Sequence, residues 1–284
     1  MQVIDCHTHI VPPDVIARRE RLCHEERWFG RLYADPRARL ADAEDLLASM
    51  DAAGVAASVA FGFAFCDSGL CRACNEYVLE AARDAPGRII PFAVVNPSDR
   101  GAACDEAARC LERGAAGIGE LMPDGQGFAL EDAALDELLI LARTLHAPVM
   151  LHVNERVGHA YAGKGSQGPE EAYRLALRHP ESTLILSHWG GGLPFYELMP
   201  EVRAALRHVY YDTAASPYLY DDAIHRHALE WAPGKVLFGS DYPLISPTRY
   251  LRRLQRVALD AACREALLSG NARALLAPSL AGGN

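Results

Sequence analysis

The sequence predicts an α/β protein: one (β/α)8 TIM barrel, as a single domain over residues 1–284. Three observations predict it. Eight short apolar, β-branched runs alternate with longer amphipathic segments, the pattern of repeated strand–helix units around a parallel sheet. No linker, low-complexity block or composition shift divides the chain, and barrels of this kind occupy about 250 residues. Ionisable side chains recur where the apolar runs end, which is the face on which such barrels carry their chemistry.

The predicted strands are residues 3–9, 55–62, 89–96, 117–121, 148–153, 184–188, 209–212 and 236–239. Several are continuous apolar runs, such as Ile89-Ile90-Pro91-Phe92-Ala93-Val94-Val95. Such runs suit strands buried on both faces of a parallel sheet. The segment 41–53 places Ala43, Leu46, Leu47 and Met50 on one helix face and stops at Gly54, a good C-cap residue. Further helices are predicted over 75–84, 102–113, 132–145, 170–178, 196–206 and 221–231. A helical tail over 247–276, broken near Gly270, ends the pattern. The first turn reads His7-Thr8-His9-Ile10-Val11-Pro12-Pro13 and lacks the G-x-G-x-x-G of a dinucleotide-binding sheet. Residues 15–42 are long for a βα loop and carry Trp28, Phe29 and Tyr33, which suggests a lid or substrate wall.

Composition narrows the function. The net charge is −9, with no basic run, which argues against nucleic acid. No apolar run approaches the roughly 18–20 residues of a membrane span. The chain opens without a charged and apolar leader, so a cytoplasmic location is expected. Eight cysteines in 284 residues are sparse, and free thiols are expected. Cys71-x-x-Cys74, with Cys66 nearby, reads as an accident of a helix start, because no second pair stands at zinc-finger spacing. Of 28 basic residues only Lys164 and Lys235 are lysines.

The chemistry gathers at the strand ends. In a strand, residues i and i+2 face the same side, so His7 and His9 project together, with Asp5 behind them. A lone H-x-H is weak evidence of metal. Here, however, Glu120, His152, His188 and Asp241 each close a different apolar run, and a parallel barrel brings those ends together. Any one of these residues could be a satisfied core or rim group. Five strands ending this way is poorly explained by packing, since buried carboxylates are costly unless paired or metal-bound.

These residues resemble the amidohydrolase superfamily. His7-x-His9, His152, His188 and Asp241 match its metal ligands on strands 1, 5, 6 and 8. The segments His188-Trp189-Gly190-Gly191-Gly192 and Leu237-Phe238-Gly239-Ser240-Asp241-Tyr242-Pro243 resemble the amidohydrolase-related branch. That branch includes aminocarboxymuconate semialdehyde decarboxylase and dicarboxylate lactonases. The resemblance implies an enzyme holding one or two divalent metal ions, Zn2+ first and Mn2+ as an alternative. A homodimer is common in the family. Both lysines lie away from strand 4, so the carboxylated-lysine bridge of many binuclear members is excluded. Glu120 stands there instead and resembles the bridging glutamate of TatD-type hydrolases. Two models follow. In one, His7, His9 and Asp241 hold one ion, His152 and His188 a second, and Glu120 bridges. In the other, His7, His9, His152 and Asp241 hold one ion, His188 is catalytic and Glu120 contacts substrate or ligands.

The resemblance implies first a metal-dependent hydrolase of a small-molecule ester, lactone or amide. The metal would lower the pKa of a bound water from about 16 toward about 7. Asp241 would act as general base, and the metal or His188 would polarise the attacked carbonyl. The alternative is a non-oxidative decarboxylase of an aromatic or muconate-type acid. A TatD-like phosphodiesterase is a further alternative. Glu155, His159, Lys164 and Trp189 are the expected substrate contacts, with Lys164 facing an anionic group. A solvated loop explains the first three equally well. The triple glycine 190–192 is either a tight turn or a close backbone approach. Asp212, at the end of strand 7, is expected to be structural.

Overall fold

The computed structural model describes residues 2–281. Eight strands form one parallel sheet in sequence order: β1 Val3–His9, β2 Val55–Phe61, β3 Ile89–Ala93, β4 Gly117–Leu121, β5 Val149–Leu151, β6 Leu184–Leu186, β7 Val209–Asp212 and β8 Val236–Leu237. The ring closes between β1 and the segment after β8. Cys6 N–H donates to Phe238 O, Asp241 N–H to His7 O and His9 N–H to Tyr242 O. This is the predicted TIM barrel. β1 shifts register against β2 between Asp5 and Thr8, where His7 turns into the barrel mouth.

Three strands, β1, β4 and β7, have the predicted limits. The others are shorter at their C-terminal ends for local reasons. Val94 leaves the ladder after β3 because its N–H and C=O bond the Asn75 side-chain amide at 2.8 and 2.9 Å. After β6 and β8 the chain turns left-handed at His188 (φ 56°) and Asp241 (φ 65°), which a strand cannot follow.

Helices coat the barrel, and their caps explain their limits. Asp42 accepts from Asp45 N–H at 2.9 Å to start Ala43–Ala53, which ends at Gly54 in the left-handed conformation. The helix predicted from 75 starts earlier, at Ser68, capped by Asp67. Cys71 and Cys74 are thus buried in its first turns, and all eight cysteines are free. The helix predicted from 196 is displaced by an irregular turn, His188–Leu198, and reduced to Pro200–Ala205. The tail is cut into Pro247–Leu254, Ala261–Glu265, a π-helical turn Ala266–Gly270 and Asn271–Ala281. Its first break precedes Asp260, which caps Cys263 N–H, so the interruption near Gly270 is not the only one. Among the described residues no helix is long and apolar enough to cross a membrane.

The long segment after β1 is ordered. Helices Pro13–Ala17, Arg19–Glu25 and Arg27–Tyr33 fold over the barrel mouth. Phe29 is fully buried, packing on Tyr33, Phe63 and Phe65 at centroid distances of 4.8, 5.2 and 5.2 Å. Glu26 accepts Cys66 N–H and Asp67 N–H at 2.9 and 3.0 Å, pinning the segment to the loop after β2. Trp28 and Phe29 therefore fasten the wall, and Tyr33 faces the cavity beneath it.

Candidate metal centre

All six residues expected as metal ligands meet at the C-terminal mouth of the barrel, in two triads: His7, His9 and Asp241, and Glu120, His152 and His188. In the first, His7 Nε2 and His9 Nε2 lie 3.2 Å apart, with Asp241 Oδ1 at 3.7 and 3.5 Å. In the second, Glu120 Oε1 is 3.0 Å from His152 Nδ1 and 3.6 Å from His188 Nε2. Glu120 Oε2 turns to the first triad, 3.7 Å from His7 Nε2 and 3.9 Å from His9 Nε2.

The outer nitrogens of His7, His9 and His188 face groups that can only accept. His7 Nδ1 meets Asp212 Oδ2 at 2.8 Å, and His9 Nδ1 faces Gly62 O at 3.4 Å. His152 Nε2 meets Gly163 O and His188 Nδ1 meets Ala214 O, both at 3.1 Å. Asn154 Nδ2 also lies 3.1 Å from His152 Nε2 and 3.1 Å from the Tyr161 hydroxyl, and its two N–H groups can serve both. His7, His9 and His188 thus have partners that favour a proton outward and a lone pair inward, as in metal-binding imidazoles.

The charges agree. Burial opposes a charge on His7, yet Asp212, Glu120 and Asp241 raise its pKa to about 10. His188 rises to about 9 against the same burial, through Glu120, Asp241 and Asp212. Glu120 is buried, which favours its neutral form, but His7 and His152 hold it well below the usual carboxylate range. Asp241 is lowered in the same way by His9, His7 and His188. The carboxylates draw positive charge to the centre of the cluster. Protons meet that demand in the metal-free protein. A divalent cation meets it with the N and O donors already aimed inward.

Local backbone serves these side chains. His188, Trp189 and Asp241 hold left-handed φ values of 56°, 60° and 65°. Such conformations cost about 1–3 kcal/mol each and persist where surrounding structure enforces them, often at functional sites. Gly191 (φ 64°) allows a close approach, because a Cβ there would stand 2.3 Å from Asn154 O. The glycine run is therefore both a left-handed turn and a backbone contact with the loop after β5.

Above the cluster lies a cavity of about 440 Å3. His9, Glu120, His152, His188 and Asp241 form its floor, and Leu32, Tyr33, Phe63, Met122, Tyr218 and Leu244 are among its walls. Of the expected substrate contacts only His159 lines it. Trp189 is fully buried, donating to Ser216 Oγ at 2.9 Å and packing edge-on against His225. Lys164 donates to the carbonyls of Val157 and His159 at 2.7 and 3.3 Å, so its ammonium ties its own loop. Glu155 accepts the Tyr161 hydroxyl at 2.8 Å and so orients a cavity residue from behind. The cation that does line the cavity is Arg39. Nothing in its local sequence, Pro36-Arg37-Ala38-Arg39, distinguishes it from a surface arginine.

A metal-binding (β/α)8 barrel with its centre at the strand ends is the class defined by this fold and cluster. The amidohydrolase family model matches residues 4–277, and the chain belongs to that metal-dependent enzyme family. No curated protein sequence matches it. Decarboxylases are among the solved structures that share the fold. 5-Carboxyvanillate decarboxylase from Sphingomonas paucimobilis has 17% identity and a TM-score of 0.80, over 97% of this chain and 99% of that one. The 5-carboxyvanillate decarboxylase of Novosphingobium aromaticivorans, solved with manganese and 4-hydroxy-3-methoxy-5-nitrobenzoic acid, has 17% identity and a TM-score of 0.80, over 97% and 96%. 2,6-Dihydroxybenzoate decarboxylase from Rhizobium has 20% identity and a TM-score of 0.73, over 98% and 99%.

Proposed function

We propose that the protein is a metal-dependent, non-oxidative decarboxylase of a small aromatic carboxylic acid. The observation that carries this reading is the cavity: its walls are aromatic and aliphatic, its floor is the ligand cluster, and the exposed Arg39 stands on its lining. A planar ring fits such walls, with its acidic and hydroxyl groups directed to the floor and to Arg39. The decarboxylase relatives of the same fold and family support it.

His7, His9, Asp241, Glu120, His152 and His188 would hold the metal, Zn2+ or Mn2+, as one or two ions. The bound cation supplies Lewis-acid charge stabilisation to oxygens of the substrate. The walls fix the ring plane and exclude water. Arg39 pairs with an acidic substituent. Asp241, ionised at the cavity floor, would take a proton from a hydroxyl group of the substrate and pass it to the ring carbon that bears the carboxylate, and the phenolate left behind regains a proton from solvent. That C–C bond breaks, its electron pair stays on the ring to form the new C–H bond, and CO2 leaves.

Hydrolysis of an ester, lactone or amide, the reading that the sequence ranks first, uses the same cluster and has no comparable support from the relatives. The discriminating experiment incubates metal-replenished protein with hydroxybenzoates and carboxylated phenols, and separately with lactones and esters. Carbon dioxide together with the decarboxylated phenol supports the proposal. Turnover confined to the lactone and ester panel overturns it.

A further inference from the structure

We infer that Asp212 is a positioning residue that couples the two triads, selecting the nitrogen by which His7 binds metal and holding His188 in reach. The inference rests on the metal-binding reading of the cluster and not on which reaction follows. Asp212 ends β7 and is fully buried. Its two oxygens do different jobs. Oδ2 takes His7 Nδ1 at 2.8 Å, which leaves Nε2 as the lone pair facing Glu120 and Asp241. Oδ1 accepts the backbone N–H groups of His188 and Ala214, both at 3.0 Å. The first bond secures the left-handed His188. The second fixes Ala214, whose carbonyl receives His188 Nδ1 at 3.1 Å and turns Nε2 inward. One carboxylate therefore sets the tautomer of a ring in each triad, directly for His7 and through Ala214 for His188. Gly239 leaves the room for this, since a Cβ there would stand 2.8 Å from His7 Cβ and 3.4 Å from Asp212 Cβ.

The geometry gives a sharp substitution. In Asp212→Asn the amide oxygen can still accept from His188 and Ala214, so the turn survives. The amide NH2 now faces His7 Nδ1, which must accept. The ring proton moves to Nε2, and His7 is lost as a metal donor. A purely structural Asp212 would show no such split. The test measures Zn2+ and Mn2+ affinity by calorimetry beside circular dichroism and thermal unfolding of the metal-free proteins. Asp212→Asn is expected to keep the wild-type spectrum while its metal dissociation constant rises about 10–100-fold, the usual effect of losing a partner behind a ligand. Asp212→Ala is expected to lose stability as well. Wild-type affinity in Asp212→Asn overturns the inference. A wild type that binds neither ion overturns the metal reading and this inference with it. Should Asp212→Asn not fold, nitrogen-15 NMR of the zinc-loaded wild type decides. A protonated Nδ1 and a ligated Nε2 on His7 uphold the inference, and ligation through Nδ1 overturns it.

Discussion

Glu120 lies with Oε1 3.0 Å from His152 Nδ1, while its other oxygen turns to within 3.7 Å of His7 Nε2 on the opposite triad. A carboxylate reaching both triads fits a bridging role. We expect two equivalents of divalent metal per chain. Glu120→Gln keeps the side-chain volume and removes the charge, so metal content should fall to one equivalent or fewer, read by elemental analysis after dialysis. A single equivalent in the wild type, retained in Glu120→Gln, would show that Glu120 is not a ligand.

Asp241 is a member of the first triad and also forms part of the cavity floor. A group that moves a proton in the reaction contributes roughly 10²–10⁴-fold to the rate. Asp241→Asn should therefore lose at least about 100-fold in turnover of whichever aryl acid is decarboxylated. Metal content measured on the same sample separates loss of the proton carrier from loss of the ion. Unchanged turnover in a metal-loaded Asp241→Asn protein would remove it from the mechanism.

Arg39 lines the cavity from the segment between the wall helices and helix Ala43–Ala53. A hydrogen bond to a charged partner contributes about 1.5–3 kcal/mol, or roughly 10–150-fold in binding. Arg39→Ala should raise KM by about that factor with kcat little changed, the signature of lost uniform binding. The effect should vanish for a substrate that lacks the acidic substituent proposed to pair with Arg39. Equal effects on both substrates would assign Arg39 to the wall rather than to recognition.

Much of this centre was legible in the sequence because its signals are periodic. The H-x-H of β1 and the acids and imidazoles at the ends of β4, β5, β6 and β8 follow from strand alternation and barrel topology alone. What stayed hidden depends on loops. Trp189 directly follows His188 and reads as a substrate contact, but a left-handed φ of 60° turns it into the core. Lys164 reads as a free ammonium, but its loop curls back to offer it two carbonyls. Arg39 has no periodic or motif signal, since only the path of the wall segment brings it to the cavity. Asp212 reads as structural, and its bonds to His7 and His188 appear only once the closed barrel brings the ends of β1, β6 and β7 together at its mouth.

The pH dependence of the metal-free protein follows from the ligand imidazoles. His7, at about 10, and His188, at about 9, both lie above the ordinary histidine value of 6.5. Groups raised in the folded state stabilise it fully below the unfolded value, and that contribution is lost as pH rises through the folded one. Chelator-treated protein should therefore lose stability between about pH 7 and 10. Metal affinity should rise across the same range, as the cation displaces fewer protons. Urea denaturation and metal titration at stepped pH check both. A flat affinity from pH 7 to 10 would contradict protonated imidazoles in the empty centre.

Acid should act through a different histidine. His225 lies in helix Ala223–Trp231 behind the site, with Nε2 3.0 Å from the Tyr250 hydroxyl and its ring edge-on to Trp189. Burial pushes its pKa down to about 4, and the Asp222 carbonyl only partly restores it. The sign is opposite to that of His7: a depressed histidine stabilises the fold fully above 6.5, and that contribution disappears as pH falls through about 4. Asp5, raised by burial to about 6, runs the other way, contributing below 3.8 and losing that contribution as pH rises through 6. A comparison with His225→Gln isolates the histidine, because Asp5 is common to both proteins. Between pH 6.5 and 4 the wild type should lose more unfolding free energy than His225→Gln in matched urea titrations. Parallel losses would mean that His225 takes up its proton in the fold as readily as in the unfolded chain, and the assignment would fail.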